Sequence, residues 1–117
     1  MIENFGIGID LSNIEKFKNK PFEKNNSFYK KIFLKKEIDY CLKFKNSYEK
    51  FAGKFALKEA LIKSINKKIE FLEIETSHLH SKPTVKILNS KYKYRFLASL
   101  SHESNFAIAV VISEKIN

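Results

Sequence analysis

An α+β domain, with one long helix packed on an antiparallel sheet, is the fold this sequence predicts, and three observations predict it. Residues 48–65 carry apolar side chains at helical spacing for about five turns. Five other stretches alternate with a period of two, or run apolar over strand lengths, near both ends of the chain. The 117 residues, 44% of them hydrophobic, with eleven Phe and five Tyr, make a single domain over 1–117 with a modest core, not a disordered chain.

Taken in order, Phe5 to Leu11 reads as a half-buried strand, with Phe5, Ile7, Ile9 and Leu11 on one face and Gly6, Gly8 and Asp10 on the other. Glycines inside a strand mark the close approach of another backbone or a ligand, so Asp10 either faces a ligand or simply caps the helix that follows. Ser12 or Asn13 opens a short helix through Lys18. Pro21 and the Asn pair make KNKPFEKNN a surface loop. Short helices follow over Phe28 to Phe33 and Lys35 to Phe44, and the main helix over Tyr48 to Ile65. Its core-facing arc of Tyr48, Phe51, Ala52, Phe55 and Ile62 also carries Glu59, and a carboxylate in that place needs a cation, a hydrogen-bond network or a raised pKa. Strands at Glu70 to Thr76 and Thr84 to Leu88 flank a turn region SHLHSKP, where His78 and His80 lack a third ligand and are read as incidental. Phe96 to Ser101 and Phe106 to Ser113 form a hairpin with His102 at its turn end, and FAIAVVIS is apolar enough to be buried on both faces.

Twenty-two basic against thirteen acidic side chains give a net charge of +9, which points to a polyanionic partner or substrate. Arg95 is the sole arginine among these cations, which disfavours base-edge reading of DNA. A small Lys-rich RNA-binding domain is the rival reading, but it leaves Asp10 and Glu59 without a purpose. One cysteine, Cys41, excludes an internal disulfide framework and a Cys-based zinc site. No apolar run approaches a membrane span, and the first residues are acidic where a signal peptide is basic. A cytoplasmic protein with no membrane or nucleic-acid partner is expected.

Only two aspartates occur, and Asp10 lies in an apolar strand as Glu59 lies in an apolar helix face. Two misplaced carboxylates from distant segments suggest a shared hard cation, with Mg²⁺ favoured by oxygen ligands, and Lys54, Lys58 and Lys63 supply charge for phosphates. The pattern fits phosphoryl-type transfer. There is no nucleophile elbow, and GIGID lacks the spacing of a dinucleotide fingerprint.

The segments GIGIDLSNIEKF, FAGKFALKEALIKSI and SLSHESNFAIAVVI, in that order, resemble those of the holo-acyl carrier protein synthases, the short class of 4'-phosphopantetheinyl transferases. FYKKIFLKKEIDY also resembles that family's F-x-x-R-I-L-T-x-x-E-L region, and the likeness spans Phe5 to Ile112. The resemblance implies transfer of phosphopantetheine from coenzyme A to a serine of an acidic apo-acyl carrier protein in fatty acid biosynthesis. It places Asp10 and Glu59 as Mg²⁺ ligands, Lys54, Lys58, Lys63 and His102 around coenzyme A, and Glu59 and Lys63 in catalysis. By the same resemblance Glu59 accepts the serine proton, directly or through water, and Lys63 stabilises charge on the bridging or leaving oxygen. Lys16 and Lys31 stand where the family has Arg and are expected to dock the carrier. A homotrimer with the site between neighbouring subunits is implied as well. Two departures stand out: the family's G-T-G turn after the main helix is replaced by Asn66, Lys67 and Lys68, and Glu103 follows His102 where a small hydroxyl residue is usual. If Asn66 adopts a left-handed conformation, the turn survives. A carrier-binding homologue without catalysis is the remaining alternative.

Overall fold

The computed structural model describes residues 2–89 and 91–116. Strand β1 (Phe5–Asn13) is followed by three short helices, α1 (Glu15–Lys18), α2 (Asn26–Lys30) and α3 (Lys35–Leu42), and by the long helix α4 (Ser47–Ile65). Then come the hairpin β2 (Ile74–Leu79) and β3 (Lys82–Ile87) and the hairpin β4 (Tyr94–Glu103) and β5 (Phe106–Lys115). The strands form an antiparallel sheet ordered β1-β5-β4 and a separate β2-β3 ribbon. No described helix is long and apolar enough to cross a membrane.

Glycine decides how β1 is used. A Cβ on Gly6 would stand 1.8 Å from the Ser64 carbonyl oxygen, and one on Gly8 would stand 1.9 Å from that of Ala60. The glycine face therefore receives the backbone of α4, at a separation no side chain allows. This reverses the expected burial: Phe5, Ile7, Ile9 and Leu11 point away from the helix, and Ile7 remains 69% exposed. β5 follows suit, because Ala107, Ala109, Val111 and Ser113 are buried under α4 while Phe106 and Ile112 stay exposed. FAIAVVIS is thus covered on one face only. With Leu97 of β4, 72% exposed, these residues make an apolar outer sheet face that nothing among the described residues covers.

α4 is enclosed by the sheet on one side and by the short helices on the other. Ala56, Leu57, Lys58, Ala60, Leu61 and Ser64 are buried, whereas Tyr48, Phe55, Glu59 and Ile62 are only half-buried. Of the arc expected to face the core, Phe51 and Ala52 are buried, and the positions nearest Glu59 border a more open flank. Packed on α4 from the other side is an aromatic cluster of Phe17, Tyr29, Phe33 and Phe51, with ring centroids 4.6 Å apart for Tyr29 and Phe51 and 5.0 Å for Phe33 and Phe51. The Tyr29 hydroxyl donates to the Lys20 carbonyl at 2.6 Å. Burial, with smaller contributions from Glu23 and Cys41, pushes its pKa up to about 12.

α4 stops at Asn66, which is left-handed (φ 51°, ψ 42°) and donates its N–H to the Ile62 carbonyl, as expected for a residue standing in for glycine. β1 runs on through Asn13, so α1 begins only at Glu15, whose N–H is received by the Asn13 side chain at 2.9 Å. The wide turn expected over residues 77–83 narrows to His80 and Ser81, both at positive φ, and His78 lies within β2. Positive φ at both central residues suits the right-handed twist of a tight hairpin.

Candidate functional site

On the β1 flank of α4, the Gly8–Ala60 contact draws Asp10 and Glu59 together, since each lies within two residues of it. Lys63, one turn beyond Glu59, donates to the Asp10 Oδ1 at 3.3 Å and to the Ile9 carbonyl at 3.0 Å. Ser12 donates to the other Asp10 oxygen at 2.9 Å. Burial raises the pKa of Glu59, the neighbouring Asp10 charge raises it further, and the Lys63 and Lys16 ammoniums oppose the shift. Lys16 itself sits 4.2 Å over the Phe55 ring, which precedes Glu59 by one turn. Asp10, Glu59 and Lys63 thus converge from distant segments. Among the described residues no third His, Cys, Asp or Glu joins the two carboxylates as a metal-holding group. Hard oxygens in a part-buried pair suit a small dication whose remaining ligands are waters and substrate phosphate oxygens.

The other predicted cations occupy the opposite flank. Lys54 and Lys63 are nine residues apart, about 900° around the helix, and so point to opposite sides. Lys54 lines a cleft with Tyr40, Lys50, His78, Leu100 and His102. Its ammonium donates to the Thr76 hydroxyl at 3.1 Å and the Thr76 carbonyl at 3.3 Å, lies 4.9 Å over the Tyr40 ring, and has its pKa lowered chiefly by burial. His102 Nε2 lies 3.3 Å from the Glu49 carbonyl, at the start of α4, and its ring packs beside Gly53. His78 packs against Tyr40 with ring centroids 5.0 Å apart, and its pKa is lowered by burial and then by Lys54 and Lys50.

Lys58, expected among the phosphate-binding lysines, is instead a core residue with no exposed side-chain surface. Its ammonium meets the Glu37 carboxylate at 2.7 Å, the Ile32 carbonyl at 2.8 Å and the Phe71 carbonyl at 3.1 Å, which uses all three of its donors. The sequence stretch FALKEAL gives no warning of this, because Glu37 lies twenty-one residues upstream. Sequence reasoning also passed over Tyr40 and Lys50 as site residues, and it weighed His78 only as a metal ligand. Lys50 had a signal, namely its i, i+4 spacing from Lys54.

The chain therefore carries two polar clusters on opposite sides of one helix. The first, with Asp10, Glu59 and Lys63, lies along β1; the second, with Lys54 and His102, lies along β4. β5 separates these two sheet edges. Lys16 and Lys31 are exposed on the short-helix side.

Comparison with known proteins gives one consistent result. The sequence profile described as the 4'-phosphopantetheinyl transferase superfamily matches residues 6–111. A holo-[acyl-carrier-protein] synthase from Clostridium kluyveri is 39% identical over 122 residues, covering 94% of this chain and 90% of that one. One from Ehrlichia chaffeensis is 36% identical over 115 residues, covering 92% and 94%. Among solved structures, Helicobacter pylori holo-[acyl-carrier-protein] synthase in complex with coenzyme A superposes with a TM-score of 0.79 at 30% identity, covering 92% of this chain and 99% of that one. The Thermotoga maritima holo-[acyl-carrier-protein] synthase gives 0.77 at 30% identity, covering 95% of this chain and 64% of that one.

Proposed function

The chain belongs to the 4'-phosphopantetheinyl transferase superfamily, in its holo-[acyl-carrier-protein] synthase class, and from that premise we propose that it transfers 4'-phosphopantetheine from coenzyme A to a serine of an apo-acyl carrier protein. Adenosine 3',5'-bisphosphate leaves, and the holo-carrier serves fatty acid biosynthesis in the cytoplasm. One observation carries the reading: Asp10 and Glu59 meet across the Gly8–Ala60 contact beside the Lys63 ammonium, within the matched residues.

Asp10 and Glu59 would hold Mg²⁺, which when bound supplies positive charge against the coenzyme A pyrophosphate. The serine hydroxyl of the carrier attacks the β-phosphorus in line, and its proton passes to Glu59, the carboxylate beside that position. Lys63 fixes Asp10 and faces the charge that develops on the departing oxygen. Coenzyme A carries a second anionic group, the 3'-phosphate of its ribose. The Lys54, Lys50 and His102 cluster suits it, while Lys58 and Glu37 support α4 from inside.

Because these clusters lie on opposite flanks of α4, one coenzyme A bridges them only if a second copy brings its β4 flank to the β1 flank of the first. The uncovered apolar face of Phe5, Ile7, Ile9, Leu11 and Leu97 favours such an assembly, a homotrimer with interfacial sites. The acidic carrier docks on the short-helix side through Lys16 and Lys31.

The test is incubation with coenzyme A, Mg²⁺ and an apo-acyl carrier protein, followed by mass spectrometry of the carrier. A phosphopantetheine increment is expected. Absence of both the increment and coenzyme A binding rejects the function. Increments of undiminished rate with Glu59→Gln and Asp10→Asn reject the metal site while keeping the enzyme.

A further inference from the structure

Inside the chain, one carboxylate is shared between two lysines. Glu37 is 1% exposed, Lys58 0%, Thr76 2% and Lys54 6%. Glu37 Oε1 accepts from Lys58 and from the Leu34 N–H, both at 2.7 Å. Its Oε2 accepts from the Thr76 N–H at 2.8 Å and from the Thr76 hydroxyl at 2.6 Å. A carboxylate offers only acceptors, so the Thr76 proton points at Glu37 and the hydroxyl lone pairs turn outward. Lys54 donates to that oxygen at 3.1 Å.

Two ammoniums therefore share a single buried negative charge. Lys58 takes it directly, and among the described residues no carboxylate oxygen comes within 4.0 Å of the Lys54 ammonium. Lys54 borders the cleft that Lys50, His78 and His102 also line. A nearly buried ammonium held by a neutral hydroxyl keeps its charge for a ligand, whereas one locked to a carboxylate would not.

We propose that Thr76 is a positioning residue for substrate binding, its hydroxyl oriented by Glu37 so as to aim the Lys54 ammonium at the 3'-phosphate of coenzyme A. This rests on the reading above that the Lys54 cleft receives that phosphate. Valine has the shape of threonine without the oxygen. In Thr76→Val the Glu37–Lys58 pair, the bond from the residue 76 N–H to Glu37 and the Lys54 bond to the residue 76 carbonyl stay in place, while the hydroxyl's bonds to Glu37 and from Lys54 are lost together.

Steady-state kinetics and titration calorimetry with coenzyme A and with 3'-dephospho-coenzyme A test the proposal in the intact enzyme. Thr76→Val is expected to raise KM and Kd for coenzyme A about tenfold, with kcat within twofold, while leaving the dephospho compound unaffected. Thr76→Ser, which restores the hydroxyl, is expected to bring the discrimination back. Equal effects on both compounds, no effect on either, or failure of serine to rescue would each overturn the role of Thr76. Lys54→Ala separates this from the underlying reading: if it leaves the preference for coenzyme A over the dephospho compound intact, the cleft is not the phosphate site and the proposal falls with it. If Lys54→Ala abolishes the preference and Thr76→Val does not, Thr76 alone is rejected.

Discussion

Gly8 and Ala60 meet backbone to backbone, so that a Cβ on the glycine would lie 1.9 Å from the alanine carbonyl oxygen. That oxygen belongs to α4 and cannot move without the helix. Gly8→Ala is therefore expected to force β1 and α4 apart, at a cost of about 3 kcal/mol, the upper part of the overpacking range. Thermal melting should show a fall of roughly ten degrees or more. Transferase activity measured well below the new midpoint should fall too, because Asp10 and Glu59 separate.

Tyr29 gives the fold a dependence on alkaline pH. Its hydroxyl donates to the Lys20 carbonyl, and burial holds its pKa near 12, above the ordinary 10. A raised acid loses its proton first in the unfolded chain, so its contribution is intact below pH about 10 and is lost as pH rises toward 12. Tyr29→Phe should cost about 1 kcal/mol at pH 7 in urea melts. That deficit should shrink through the alkaline window. A deficit that stays constant between these limits would argue against the assignment.

If neighbouring copies complete one site, variants damaged in opposite clusters should repair each other. Asp10→Asn is expected to be inactive or nearly so alone, and Lys54→Ala to be nearly inactive at coenzyme A concentrations below the wild-type KM. Co-expressed in equal amounts, they should regain about a quarter of wild-type activity, since random mixing leaves that fraction of interfaces with two intact halves. Co-purified mixed assemblies with no recovered activity would place both clusters in the service of one subunit.

Lys16 lies over Phe55, exposed, at the edge of the Asp10 and Glu59 cluster. Lys16→Glu should raise the KM for the carrier about tenfold or more while sparing coenzyme A binding, and the wild-type KM for the carrier should rise with salt. An unchanged carrier KM would remove Lys16, and by extension Lys31, from docking.

The α+β architecture and the extent of α4 were readable from periodicity and from Asn66 as a stop. Asp10 was readable because it shares a strand face with two glycines. Which face of β1 turns inward was not, since an apolar row normally marks the buried side and here the row waits on the outside of the sheet. Glu59 drew attention for a reason only half right: its arc holds the buried Phe51 and Ala52 but is half-open at Glu59 itself, where half-burial beside Asp10 raises its pKa. Lys58 could not be placed, because nothing local distinguishes a lysine that crosses the core to Glu37 from one that reaches solvent. The His80–Ser81 turn lacks Gly or Asn at either position and so escaped turn chemistry.

The chain has three glycines, and none of them adopts a positive φ. Gly6 and Gly8 occupy places where a methyl group has no room, while the left-handed positions among the described residues are filled by Asn66, His80, Ser81 and Ser104. The two demands differ in kind. A missing cavity forbids substitution, whereas a left-handed backbone merely penalises it, by about 1 kcal/mol per residue. Under a mutational bias that depletes glycine codons, drift can empty the second class of position and never the first. Gly6 and Gly8 thus mark the sites where selection had no alternative, and the left-handed residues are a reserve of stability that substitution by glycine can release without touching either cluster.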